Sequence, residues 1–146
     1  SLFRQKDAIS TREVRLDLLR EKRRIIDDTV KSLEGEILSD PALYRKVMLS
    51  IISRAVVTGN EEIVPCGEDV SMYTPDFIEE ARRMVREKTG VEAELKVAPD
   101  SISRKGLLIR HGRTVADCRL SVIISEAVRG SESELAAILF GVDNVR

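Results

Sequence analysis

Residues 11–38 read TREVRLDLLREKRRIIDDTVKSLEGEIL, with no Pro and with Gly35 as the single Gly. Leu, Ile and Val recur at steps of three, four or seven positions, which is the spacing of one apolar stripe on an α-helix. Charged residues of both signs fill the positions between them, so the other faces suit water. We therefore predict a long amphipathic helix, whose apolar stripe consists of Leu16, Leu19, Ile26, Val30, Leu33 and Ile37.

Either a partner helix or the chain's own domain could cover this stripe. Leu19 and Val30 also fit an eleven-residue step, as do Ile26 and Ile37, and that period favours a straight or right-handed supercoil. The chain begins at Ser1, and its first residues lead directly into the helical pattern. We expect more helix upstream of this point.

The middle of the chain alternates helical and strand patterns. Ser39, Asp40 and Pro41 supply a cap and an early-turn proline for a second helix, which Gly59 ends. That helix carries one apolar face, predicted to be core: Leu43, Val47, Met48, Ile51, Ile52 and Ala55. A strand around Ile63 and Val64, a loop containing Gly67, and a helix from Pro75 to Thr89 capped by Thr74 and Gly90 are predicted to follow.

The last third predicts more sheet and a closing helix. Alternation marks a strand over 93–97, and strands over 106–110 and 113–118 form a hairpin with its tip at His111-Gly112. A helix over 120–140 has an apolar side expected to cover the sheet, with Phe140 near its end: Leu120, Ile124, Ala127, Leu135, Ile138 and Leu139. The predicted fold is α/β: a long N-terminal helical arm over residues 1–38, then a small mixed-sheet α/β head over 39–146 closed by the C-terminal helix.

Composition narrows the function classes. Lys plus Arg total 24 against 25 for Asp plus Glu, and the net charge is −1, so nothing steers the whole molecule toward nucleic acid or acidic lipid. Cys66 and Cys118 stand far apart without a metal-ligand spacing, and a reducing cytoplasm is the expected compartment. No apolar run reaches the roughly 18 residues of a membrane-spanning helix, and no export signal is recognisable. We expect no direct membrane span.

Motifs for chemistry are sparse. A lone His111 could act as a base, alone or paired with Cys118 across the hairpin, but a buried structural Cys118 is the favoured interpretation. The sequence contains neither of the two glycine patterns that bind phosphate, GxxxxGK(S/T) and GxGxxG. We therefore expect no cofactor and no tight ATP binding by this chain. The basic run over 20–24 is interrupted by acids and lacks stacking aromatics, which favours a solvated helix face over nucleic-acid binding.

The C-terminal quarter carries a family resemblance. Gly106-Leu107-Leu108-Ile109, Gly112 at a turn, Asp117 and a last helix ending Ile138-Leu139-Phe140-Gly141 follow one another in that order. This order, and the interval between Asp117 and Gly141, resemble the closing pattern of the E subunits of archaeal-type and vacuolar-type rotary ATPases. The family's Asp-Asn-Thr is Asp117 followed by Cys118 and Arg119 here. Two further departures are Ile123 in place of a usual Arg, and Lys105 in place of the first Gly of the family's opening Gly pair.

The resemblance implies a non-catalytic stator subunit in a peripheral stalk, within a cytoplasmic complex at the membrane. In that family the long helix pairs with a second stalk subunit of the G or H type, and the head docks on the catalytic hexamer. The resemblance thus assigns the stripe residues Leu19, Ile26, Val30, Leu33 and Ile37 to the stalk partner. A stator-like regulator of a flagellar or type III secretion ATPase stays open, as does a more distant RNA-binding or enzymatic module. Coupling to protons or sodium ions, and the direction of ATP turnover, stay open too.

Overall fold

A computed structural model describes the backbone of residues 7–131 and the side chains of residues 10–131. The elements are α1 (Asp7–Leu38), α2 (Pro41–Ala55), β1 (Glu62–Pro65), a 3₁₀ helix (Gly67–Met72), α3 (Pro75–Thr89), β2 (Lys96–Val97), β3 (Gly106–His111), β4 (Thr114–Arg119) and α4 (Leu120–Gly130). The predicted α/β class is confirmed. Of the predicted closing helix, Leu135, Ile138, Leu139 and Phe140 lie outside the described residues, as does the following Gly141.

The described residues form two compact units. One is Leu33–Ile124, and the other holds 7–32 together with 125–131. The first unit contains the whole sheet with α2 and α3, and the second contains most of α1. The boundary predicted between residues 38 and 39 stays a prediction.

The sheet has four strands in the order β2-β1-β3-β4. Strand β1 pairs in parallel with β2 and antiparallel with β3, and β3 pairs antiparallel with β4, so the sheet is mixed as predicted. Ile63 lies opposite Ile109, and Leu107 opposite Cys118. All four side chains are buried. Helix α2 contacts both α3 and β3, so its apolar face joins the helices to this side of the sheet.

Two strand predictions need correction. The strand predicted over 93–97 is reduced to Lys96–Val97. Before residue 96 the segment is held by a hydrogen bond from the Glu94 N–H to the Gly59 carbonyl and by one from the Arg82 guanidinium to the Ala93 carbonyl. The hairpin tip lies one residue later than predicted, because His111 pairs with Thr114 and the turn consists of Gly112 and Arg113. Gly112 has φ 59°, which the left-handed turn position requires.

Local signals determine the start of α2 and both ends of α3 as predicted, whereas α2 ends at Ala55 and not at Gly59 as expected. Asp40 accepts a hydrogen bond from the Leu43 amide, and Thr74 accepts one from the Phe77 amide. Each helix starts on a proline, whose missing N–H costs nothing at that position. Gly90 ends α3 with φ 74°. In α2 the predicted core face is only partly correct, because Met48, Ile51 and Ile52 are buried whereas Leu43 is 38% exposed.

A buried carboxylate organises the loop between α2 and β1. Glu61 is 4% exposed, and its oxygens accept hydrogen bonds from the amides of Val57, Thr58 and Gly59 at 2.7–2.9 Å. The Thr58 hydroxyl donates to it as well, at 2.9 Å. Burial of the carboxyl raises its pKa, but these four donors together outweigh burial and lower the pKa of Glu61 to about 2.

This loop predicts an acid-sensitive stability. The pKa of Glu61 is lowered on folding from 4.5 to about 2, so its contribution is complete above about pH 4.5 and is lost as the pH falls toward 2. We expect Glu61→Gln to destabilise the protein at pH 7, and the difference from wild type to shrink between pH 4.5 and 2. Urea unfolding of both proteins across this pH range measures this difference in the free energy of unfolding. Glu79→Gln, at an exposed position, is the control. A difference independent of pH would contradict this role.

Candidate partner-binding site

The five residues assigned to a stalk partner all lie on α1, with different exposures. Leu19 is 51% exposed and Leu33 38%, whereas Ile26 is only 7% exposed. Val30 and Ile37 are half-buried. Leu19 and Ile26 lie in one groove, and the other described residues that line it are Lys22, Arg23, Asp27 and Arg129. The assignment of these five residues to a partner stays a prediction.

The sequence reasoning missed a second apolar row on α1. Val14 is 55% exposed and Leu18 49%, and Ile25 follows seven positions after Leu18. These positions lie on a different side of the helix from Leu19 and Ile26, because each residue turns the helix by about 100°. These residues are spaced four and seven positions apart, which is a helical spacing that could have identified them from the sequence. The single stripe predicted from the sequence does not include them.

Two cations of the basic run on α1, Arg20 and Arg24, are paired with acids on a solvated face. Arg24 forms ion pairs with Glu21 and, at 3.0 Å, with Asp28. Arg20 lies 3.7 Å from Asp17, with both side chains about three-quarters exposed. Exposed intrahelical pairs of this kind contribute little to the stability of a helix. They do, however, neutralise Arg20 and Arg24, two of the four cations in the run that a nucleic-acid interpretation would need.

In the sheet unit, Gly106 and Asp117 form a tight corner between β3, β4 and α4. Gly106 has φ 113°, and a Cβ built there would lie 2.5 Å from the Leu120 amide nitrogen and 2.6 Å from the Arg119 Cα. The Leu120 amide donates to the Lys105 carbonyl at 2.9 Å. Only glycine allows the two backbone segments to approach this closely.

Asp117 turns the chain from β4 into α4. Its carboxylate accepts from the Arg119 amide at 3.2 Å and from the Arg119 guanidinium at 2.6 Å. In this local turn, the Asp117 side chain accepts a hydrogen bond from the amide two residues later, at the point where β4 gives way to α4. The hydrogen bond from the guanidinium lowers the pKa of Asp117. Arg119, where the resembled pattern has Thr, thus supplies donors to Asp117, while Cys118 is buried opposite Leu107.

A buried polar network connects this corner to α2. The Tyr44 hydroxyl donates to Asp69 of the 3₁₀ helix and accepts from the Gly106 amide at 2.9 Å. Lys105 donates to the other oxygen of Asp69 at 2.8 Å. Asp69 is only 8% exposed, so Lys105, where the resembled pattern has Gly, neutralises a buried carboxylate. Burial and the hydrogen bond to Asp69 raise the pKa of Tyr44, which keeps its donor proton.

Two tyrosines provide a matched test of this network. Tyr44→Phe should cost about 1–3 kcal/mol, because it leaves the Gly106 amide and one Asp69 oxygen without their buried partner. The Tyr73 hydroxyl is buried and has no hydrogen-bond partner among the described residues. Tyr73→Phe should therefore be neutral or stabilising. Equal losses for the two variants in urea unfolding would show that the network does not stabilise the head.

The alternatives that rest on His111 find no support in the geometry. His111 is exposed at the end of β3 opposite Thr114, whereas Cys118 is buried opposite Leu107. The two residues lie at opposite ends of the hairpin, four residue pairs or about 13 Å apart at a strand rise of ~3.3 Å. The Cys-His pair considered from the sequence therefore does not form. Among the described residues, no group of His, Cys, Asp and Glu could hold a metal ion.

The described part of the chain contains a long amphipathic helix followed by a small α/β unit with a glycine corner. A similar protein is the E subunit of the V-type proton ATPase of Thermoanaerobacter pseudethanolicus, which is 27% identical over 124 residues. That alignment covers 84% of this chain and 62% of the relative, so the chain spans less than two thirds of the relative's length. No family model matches the sequence. The resemblance to the E subunits of rotary ATPases, based first on residues 106–141, is confirmed by this match.

None of the helices in the described range is both long enough and apolar enough to cross a bilayer.

Proposed function

We propose that the chain is a non-catalytic stator subunit, of the E type, in the peripheral stalk of an archaeal-type or vacuolar-type rotary ATPase. The observation that carries the proposal is the similarity to the E subunit of a V-type proton ATPase over 84% of the chain. A cytoplasmic location in a complex at the membrane follows from that role, as does the absence of catalytic duties. Whether protons or sodium ions move is a property of the whole complex.

The physical demands of a stator support this proposal. A stator holds the catalytic head still against the torque of the rotor, so it needs a stiff element and a firmly built docking unit. Helix α1 runs for 32 residues, about 48 Å at a rise of ~1.5 Å per residue. In the sheet unit, the network of Tyr44, Asp69 and Lys105 ties α2 to the β3 strand.

Two surfaces then have assigned partners. The α1 stripe, with Leu19 and Leu33 exposed, binds the second stalk subunit of the G or H type. The α/β head docks on the catalytic hexamer. An exposed apolar row on a helix is energetically costly in isolation, and a partner helix that covers it removes that cost.

Affinity purification of the tagged chain from its native cells, followed by native mass spectrometry, tests the proposal. We expect stoichiometric recovery of the nucleotide-binding subunits of a rotary ATPase and of a second helical stalk subunit. Recovery of a flagellar or secretion ATPase instead would assign the chain to the other stator-like class. Recovery of RNA, or of the chain alone, would contradict the stator role.

A further inference from the structure

We propose that the groove beside Leu19 and Ile26 binds an acidic amphipathic helix, and that acidic residues flanking an apolar row are the feature by which the second stalk subunit is recognised. This inference rests on the proposed function, since the stalk partner is the occupant. It adds the chemistry of that partner, and it brings α4 into the binding surface through Arg129.

The floor of the groove is apolar. Leu19 and Ile26 are seven positions apart on α1, so they lie on the same side of the helix, two turns apart. Leu19 is 51% exposed and Ile26 only 7%, so the floor deepens from one to the other. An apolar side chain from a partner helix could bury itself against Leu19, as a knob does in helix packing.

The rim of the groove is mainly cationic. Among the described residues that line it, the cations are Lys22 and Arg23 on α1 and Arg129 on α4, and the anion is Asp27. Lys22 already has a partner, so the excess positive charge of the rim depends on Arg23 and Arg129. Neither Arg23 nor Arg129 forms an ion pair with any residue in the described range. This contrasts with Arg20 and Arg24 on the same helix, which are paired with acids. An excess of positive charge around an apolar floor favours an occupant with carboxylates beside its apolar row.

A second copy of this chain fits the groove poorly. Two such grooves facing each other would bring together Arg23 and Arg129 of both copies, and like charges at an interface are unfavourable. The same repulsion disfavours a lysine-rich helix. The apolar floor would bind any helix with a suitable apolar row, so the charges at the rim determine which of these helices binds more tightly.

Two stapled synthetic helices provide the probe, because short isolated helices are marginal in water. Both carry the same leucine row, and the flanking positions are Glu in one and Lys in the other. Fluorescence anisotropy with the full chain should give about tenfold or tighter binding of the Glu helix. The preference should weaken as salt rises from about 0.05 to 0.5 M, because the rim charges are exposed and screened.

Charge-reversal variants test whether Arg23 and Arg129 cause the preference for the Glu helix. Arg23→Glu combined with Arg129→Glu should weaken binding of the Glu helix about tenfold and improve binding of the Lys helix. The matched control is Arg12→Glu combined with Arg20→Glu, which makes the same charge change on α1 outside the groove and should leave both affinities within about twofold. Equal binding of the two helices, no binding of either, or an equal response of the control would overturn the proposal. So would light scattering that shows the chain already occupying the groove as a dimer.

The outcomes separate this inference from the stator role. If rotary ATPase subunits are recovered with the tagged chain but the synthetic helices show no charge preference, the role stands and the acidic recognition fails. If the preference is found but no ATPase subunits are recovered, the groove stands and the stator role fails.

Discussion

Gly106→Ala is expected to destabilise the Leu33–Ile124 unit by about 2–6 kcal/mol, or to prevent its folding. The added Cβ would lie 2.5–2.7 Å from backbone atoms of residues 118–120, which cannot rotate away. Such overpacking costs about 1–3 kcal/mol. The φ of 113° adds strain of about 1–3 kcal/mol for a residue with a side chain.

Two other glycines separate crowding from backbone strain. Gly90 and Gly112 also have positive φ, but a Cβ at either position would meet nothing within 4 Å. Gly90→Ala and Gly112→Ala should therefore each cost only about 1–2 kcal/mol. Urea unfolding of the three variants should rank Gly106→Ala as clearly the worst. If its loss equals that of the two controls, the corner is not as tight as the geometry indicates.

Phe77→Ala should cost about 3–5 kcal/mol, the second large effect. The ring is fully buried at the start of α3. It meets Tyr73 edge to face with centroids 4.9 Å apart, and the Arg45 guanidinium lies 5.3 Å from its centroid. Removing it leaves a cavity where the 3₁₀ helix, α2 and α3 meet, and cavities add to the lost transfer free energy.

A conservative change provides the control for Phe77. Phe77→Leu retains most of the apolar volume and should lose clearly less stability than Phe77→Ala. Thermal and urea unfolding of both variants, monitored by circular dichroism, measure the difference. An unchanged midpoint for Phe77→Ala would show that α3 does not depend on this contact.

Local chemistry made much of the fold predictable. Asp40 with Pro41, and Thr74 with Gly90, are short-range signals, and they placed the start of α2 and both ends of α3 correctly. The end of α2 was expected at Gly59 but lies at Ala55. The hairpin was found from alternation and Gly112, but its tip was one residue off. The two-residue turn pairs His111 with Thr114, and alternation alone does not distinguish this turn from one that begins a residue earlier. Ala127 was expected on a covered side and is exposed.

The site was less accessible to sequence reasoning. The network of Tyr44, Asp69 and Gly106 joins residues 25 and 62 positions apart, and no periodic pattern reports such a contact. The groove likewise needs Arg129, which is far from Leu19 in the chain. Leu19 and Ile26 themselves were identifiable from helical spacing alone.

Simultaneous measurement of ATP hydrolysis and ion transport tests the stator role most directly. The whole ATPase would be assembled in membrane vesicles with and without this chain. A stator transmits torque without catalysing hydrolysis, so we predict that ion transport per ATP hydrolysed is lost without the chain and is restored when it is added back. The same ratio with and without the chain would contradict the account.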